Sequence, residues 1–298
     1  MAVLLVLVPG CFGVAAYVVL RLYRDRSAAR ERQLFNALIV PNLDDARFDP
    51  DEVASLPGPA ARYLRRAIAP GTRLARTVDL RLAGQFRDGP AADWRPFTVQ
   101  LRVSAGRGFL CRSRVGSSKG PDWVGIDYLS GRAARSQRFL GNLVPVVDRD
   151  DASTARAAVG QQLLACAWLP SILLPSSGAR WAPADARRAS VRVDGPTTEP
   201  ALNLTVDEDG RLRLVTLLRY RPTPAGVDSL VPFGLRVEGS ANFDGYTVPS
   251  RAVSSWAYGT DEAFESMVLT LESARYLSLI HISEPTRPFT LSRMPSSA

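Results

Sequence analysis

Residues 94–115 read WRPFTVQLRVSAGRGFLCRSRV, and the period of this stretch decides the fold. Phe97, Val99, Leu101 and Val103 alternate with polar or charged neighbours, the two-residue repeat of a strand with one buried face. Residues 104–108, SAGRG, are a turn signal, and 109–115 resume as a second strand, so the stretch predicts a β-hairpin. The same signature recurs on both sides. Val78, Leu80 and Leu82 alternate before it; DWVGIDYLSG (122–131) leads into RAARSQRFL after it. ALNLTVDEDGRLRLVTLLRY (201–220) predicts two strands joined at 207–210, residues 237–259 turn at Asp244-Gly245, and MVLTLESARY (267–276) predicts a closing strand. One helical segment interrupts them. RDDASTARAAVGQQLLACAWLP (149–170) offers Asp150, Asp151 or Ser153 as N-cap, Val159, Leu163 and Trp168 at helical spacing, and Pro170 as a stop. Strands this amphipathic need a cover for one face. The expectation is an α+β fold: a predominantly antiparallel, strongly curved, half-barrel-like sheet with the helix over 151–169 packed across its concave side. A short helix is expected over 57–69, and one β-rich domain over 51–276.

The N-terminal residues 2–20, AVLLVLVPGCFGVAAYVVL, carry no charge and have the length of a membrane-crossing helix. Arg21, Arg24, Arg26, Arg30 and Arg32 follow at once, which by the positive-inside rule places the domain on the cytoplasmic side. Residues 1–22 are therefore expected to be a single-pass transmembrane anchor and 23–50 a polar stalk or linker, with 21–38 read as a polar helix or stalk; export after signal-peptide cleavage is the alternative. At the other end, residues 277–287 back-translate with ordinary codons into a transposase adapter of sequencing libraries, and 292–298 into the flow-cell end of the same adapter. Residues 277–298 are therefore expected to be translated adapter and are set aside. They hold His281, the only histidine. Without it, histidine-based triads, histidine-ligated zinc and imidazole bases are unavailable.

Net charge is +8, and +7 without that tail, whose two arginines outnumber its one glutamate. Lys119 is the single lysine, so the arginines reflect coding bias more than phosphate binding. Three cysteines make no disulfide framework. Nucleic acid is not expected as a partner, because interleaved exposed aromatics and a known module are both missing.

The run 94–115, then GIDYLSG, LGNLVPVV, ACAWLPSILLP, LTVDEDGRL and PFGLRVEGSANFDGYTVPSRAVSSWAYGT, in that order over 56–276, resembles the bacterial domain-of-unknown-function family numbered 6920, related to that numbered 6544. The resemblance implies a bacterial family and no reaction. It also marks a departure: relatives tend to carry an acid three residues before the tryptophan of the WLP segment and a base four before that, where this chain has Ala165 and Gln161.

No catalytic constellation stands out. Asp148, Asp150 and Asp151 suit helix capping, and Asp207, Glu208 and Asp209 a hairpin turn. Asp127, inside a strand, is the acid that a carboxylate-dependent hydrolase or metal enzyme would use. Cys111, flanked by Arg112 and Arg114, has no histidine base beside it. Arg112, Arg114, Arg132, Arg135 and Arg138 could form a positive sheet face for lipid headgroups or a protein partner. A helix carrying Trp168 in the mouth of a curved sheet is a geometry that holds apolar ligands. The expectation is a membrane-anchored, non-enzymatic domain without cofactor or metal, binding membrane lipid or another hydrophobic molecule through Tyr128, Trp168, Trp256, Arg112, Arg114 and Asp127. The alternatives are the hydrolase and an interaction scaffold built on the arginine face.

Overall fold

The computed structural model describes residues 2–40, 45–117, 120–193, 201–221 and 229–277, with side chains from Phe12 onward. The helices are α1 (Ala2–Ala37), α2 (Gly58–Ala67) and α3 (Ala152–Ala165). The first meander of strands comprises β1 (Thr77–Phe86), β2 (Arg95–Ser104), β3 (Gly108–Val115), β4 (Trp123–Ser130), β5 (Ala133–Leu140) and β6 (Val144–Arg149). The second comprises β7 (Arg180–Pro183), β8 (Arg188–Arg192), β9 (Leu202–Val206), β10 (Leu212–Arg221), β11 (Ser229–Phe243), β12 (Tyr246–Trp256) and β13 (Phe264–Leu277). All thirteen strands described form one antiparallel sheet, in which each meander pairs strand to next strand and β1 pairs with β13 along the seam. The edges, β6 and β7, do not pair with each other, so the sheet is open.

Its curvature follows from what α3 touches. The helix packs on β4, β5 and β10, and β4 and β10 lie seven strands apart in the sheet order. Laid flat at about 4.8 Å per strand they would be roughly 34 Å apart, three times the ~10–12 Å width of a helix. The sheet must therefore curl around α3. Register shifts in β1/β13, β11/β12 and β12/β13 are the bulges that let long strands bend this way.

The helix is shorter than the 151–169 expected. Asp151 caps it, accepting from the Thr154 amide at 2.8 Å, and beyond Ala165 a 3-10 turn, Cys166–Trp168, carries the chain to Pro170. Trp168 anchors that turn twice: its Nε1 donates to the Pro249 carbonyl at 2.8 Å, and its carbonyl accepts from Tyr276 Oη at 2.9 Å. The short strands β6, β7 and β8 were not expected.

The longest helix is α1, and its second half lies on the outer face of the sheet. Leu34, Phe35 and Leu38 pack on Leu110 and Tyr128, and Tyr23 on Val124, Ile126 and Phe139. Arg102, 3% exposed, fixes the end of α1: it donates to both oxygens of Asp79 (2.5 and 2.7 Å) and to the Phe35 carbonyl (2.6 Å), and its guanidinium lies 3.5 Å from the Phe35 ring centre. Part of the segment expected as a polar stalk is thus helix docked on the domain. Among the described residues no helix is long and apolar enough to cross a membrane; of the span expected over 2–20, residues 2–11 lie outside the described side chains. The adapter-like tail lies outside the described residues beyond Leu277, which itself pairs with Thr77 at the end of β13.

Candidate functional site: a cavity beneath helix α3

Because side chains alternate along a strand, each strand of the first meander offers one set to α3 and the other to α1. Cys111, Ser113 and Val115 of β3, Trp123, Gly125 and Asp127 of β4, and Arg138 of β5 face inward. Together with Val99 and Leu101 of β2, Leu82 and Phe86 of β1, Met267 and Leu269 of β13, Arg219 of β10 and Trp256 of β12, they line a cavity of about 630 Å³. Gln161, Leu164, Ala165 and Trp168 roof it. The size falls within the roughly 300–1,000 Å³ usual for small-molecule sites, and the wall is mostly apolar.

Five charged groups interrupt that wall. Asp88 receives Arg95 at 2.7 Å. Asp127 receives Arg138 Nη1 at 2.8 Å and Ser136 Oγ at 2.6 Å. Gly125 makes room for this second pair: a Cβ there would sit 2.5 Å from Ser113 Oγ and 3.2 Å from Arg138 Nη1. The fifth group is Arg219, 9% exposed, its guanidinium 4.6 Å from the ring centre of Phe233 and 5.2 Å from that of Trp256. Burial lowers its pKa to about 10, with the Asp127 charge opposing, so it remains a cation at neutral pH. Cys111 is buried and its thiol is held in the protonated form. Burial, and then the nearby Asp127 charge, push its thiol up to about 12, and no group of three or more acidic, cysteine or histidine side chains suited to a metal occurs among the described residues.

Of the six residues singled out from the sequence, the cavity brings together Asp127, Trp168 and Trp256. The other three are elsewhere. Tyr128 is buried on the outer face under Leu34 and Leu38; Arg112 on that face pairs with Glu31 at 2.9 Å; Arg114 pairs with Asp122 at 3.4 Å. The physical reason is the strand period, which turns Tyr128 away from Asp127 and Arg112 away from Cys111. The same geometry divides the expected arginine face. Arg135 on the outer side is held by Asp148 at 2.6 Å, whereas Arg138 points into the cavity. Sequence reasoning missed Arg219 altogether. Gln161 and Ala165, the two departures from the family pattern, both lie in the cavity roof.

A model of the family of unknown function DUF6544 matches residues 46–265, and the chain belongs to that family. No curated protein matches it. Among solved structures it is similar to a LolA superfamily protein from Nitrosomonas europaea, at 11% identity over 74% of this chain and 93% of that one, with a TM-score of 0.42. It is also similar to a domain from Vibrio parahaemolyticus named for outer membrane lipoprotein sorting, at 8% identity over 67% and 85% of the two chains, with a TM-score of 0.38.

Proposed function

We propose that this DUF6544 chain is a membrane-tethered binding protein that holds a hydrophobic, lipid-like molecule in the cavity beneath α3. One observation carries the proposal: a mostly apolar pocket of about 630 Å³, open on one side and walled by Trp123, Trp168 and Trp256, between the sheet and α3. Apolar side chains that line an open pocket make fewer dispersion contacts than packed ones, and an apolar ligand would supply the rest. The tether is argued from α1. Phe12, Val14, Tyr17, Val19 and Leu22 are each more than half exposed and project around the helix, a surface that water penalises and a bilayer accepts. The arginines that follow favour the cytoplasmic side. The order of shared motifs also favours kinship with the family numbered 6920 within the wider group.

The test is the lipid that the protein carries. The full chain, extracted from membranes in an uncharged amphipathic polymer, is compared by mass spectrometry with the variant Val99→Phe, whose added ring occupies the cavity. One lipid class near stoichiometry in the parent and depleted in the variant supports the proposal. Equal lipid in both, as a shell around the apolar helix would give, overturns it.

A further inference from the structure

We infer that the molecule held in the cavity carries an anionic head and that Arg219 receives it, the ligand class being a long-chain carboxylate or alkyl phosphate. The inference rests on the cavity reading proposed above. It follows from the pairing of the charges in the wall. Both acids that line the cavity have their own arginine: Asp88 has Arg95 and Asp127 has Arg138. Arg219 is the cation left over, with no hydrogen bond or ion pair among the described residues, and its Nε is buried without any partner.

A buried guanidinium N–H without an acceptor is unfavourable, and the rings of Phe233 and Trp256 accept the charge of the group but none of its N–H donors in the plane. Those rings fix the plane of the group. The helix above fixes it further: at Gly160 a Cβ would lie 3.1 Å from Arg219 Cγ and 3.3 Å from Nε, so a larger residue would push the side chain aside. An arginine held this way in the wall of an apolar cavity, with no protein acceptor for its donors, matches the paired oxygens of a carboxylate or phosphate. The apolar remainder of the wall takes the chain.

The experiment titrates the delipidated full chain with dodecanoate, dodecyl phosphate, dodecanol and inorganic phosphate, each below its aggregation limit, by calorimetry. The expected result is a preference of about ten- to a hundredfold for an anionic amphiphile over dodecanol, the difference one charge-assisted hydrogen-bonded pair makes. Arg219→Met should abolish that preference while keeping dodecanol binding, and Arg219→Lys should retain part of it. Equal binding of dodecanoate, dodecyl phosphate and dodecanol by the parent overturns the inference and leaves the cavity reading standing. So does an Arg219→Met variant that keeps the preference. Inorganic phosphate binding as tightly as the amphiphiles would make this a small-anion site and overturn it as well. If no amphiphile binds, the cavity reading and the inference fail together. The parent series decides the question of the head by itself, should Arg219→Met not fold.

Discussion

Val99→Phe separates a cavity from a core by the sign of one number. Val99 sits on β2 in register with Leu82 of β1 and Ser113 of β3, and all three line the cavity. The substitution adds four carbons. If they enter empty space, burial at about 0.8 kcal/mol per carbon is worth up to about 3 kcal/mol. Fixing the ring removes roughly 0.5–1 kcal/mol of that. The net gain is about 2 kcal/mol. If the space is in truth filled by its neighbours, the same ring overpacks the interior and costs about 1–3 kcal/mol. For a domain of this size 1 kcal/mol moves the midpoint by about 2–4 °C, so the two cases predict a rise of about 4–8 °C or a fall of at least about 2 °C. The assay is thermal unfolding of the ligand-free full chain, followed by circular dichroism for parent and variant. A bound ligand stabilises the parent alone, so both must first be stripped of lipid. A lower midpoint for the stripped variant would refute the cavity, and with it the proposed function.

Two further outcomes follow from the way α1 is held and from a single ion pair. Arg102→Ala takes away the bidentate partner of Asp79, which keeps only Arg275 at 3.1 Å, and removes the stack on Phe35; losing hydrogen bonds to a charged group costs about 1.5–3 kcal/mol. The urea midpoint should fall accordingly and protease should cut α1 sooner, whereas a change below about 1 kcal/mol would mean that α1 is not latched there. Asp148 is held at about 2 from its ordinary 3.8, first by its hydrogen bonds from Arg135, with Tyr23 and Gln137 adding to them and burial opposing. A carboxyl depressed in the fold stabilises it fully above the unfolded value and loses that contribution as pH falls toward 2. Asp148→Asn should therefore be less stable than the parent at pH 6 and should close the gap as pH drops from 4 to 2; a gap that stays constant over that range would refute the assignment.

Much of the architecture was legible because two periods write themselves into the chain. The hairpins at 94–115 and 122–140 and the helix capped by Asp151 appear where alternation, turn residues and an N-cap place them. The short strands β6 to β8 were not legible: four to six residues with Pro145, Trp181 or several arginines carry too little alternation to separate from loop. The face of each residue was harder still. Asp127 and Tyr128, or Cys111 and Arg112, are neighbours in sequence and belong to opposite sides of the sheet, one set facing the cavity and the other α1. Grouping Asp127 with Tyr128 and Arg112 as one site ignored the strand period that had identified the strands.

Arg219 shows the limit most sharply, and the reason is a register shift. Along LRLVTLLRY the apolar residues fall at 212, 214 and 218 in one phase of alternation, with Tyr220 beside them, and at 215 and 217 in the other, so the pattern favours the first phase. A slip of one residue exchanges the faces of a strand completely. In one phase Leu218 and Tyr220 face the interior and Arg219 lies in water, the ordinary place for an arginine. The structure takes the other phase. The pairing with β9 shifts between Leu212 and Leu214, and beyond that point Val215, Leu217 and Arg219 share the inner face while Leu218 is 44% exposed. A leucine is turned outward and an arginine inward, against what the transfer energies of the two side chains favour. The remaining pairings of β10, from Leu214 with Arg236 to Arg221 with Ser229, hold that phase over the whole strand, so Arg219 cannot turn out without dragging Val215 and Leu217 with it. The burial of this cation is thus imposed by the strand. An anion brought in by a ligand supplies the charge partner that the fold leaves out.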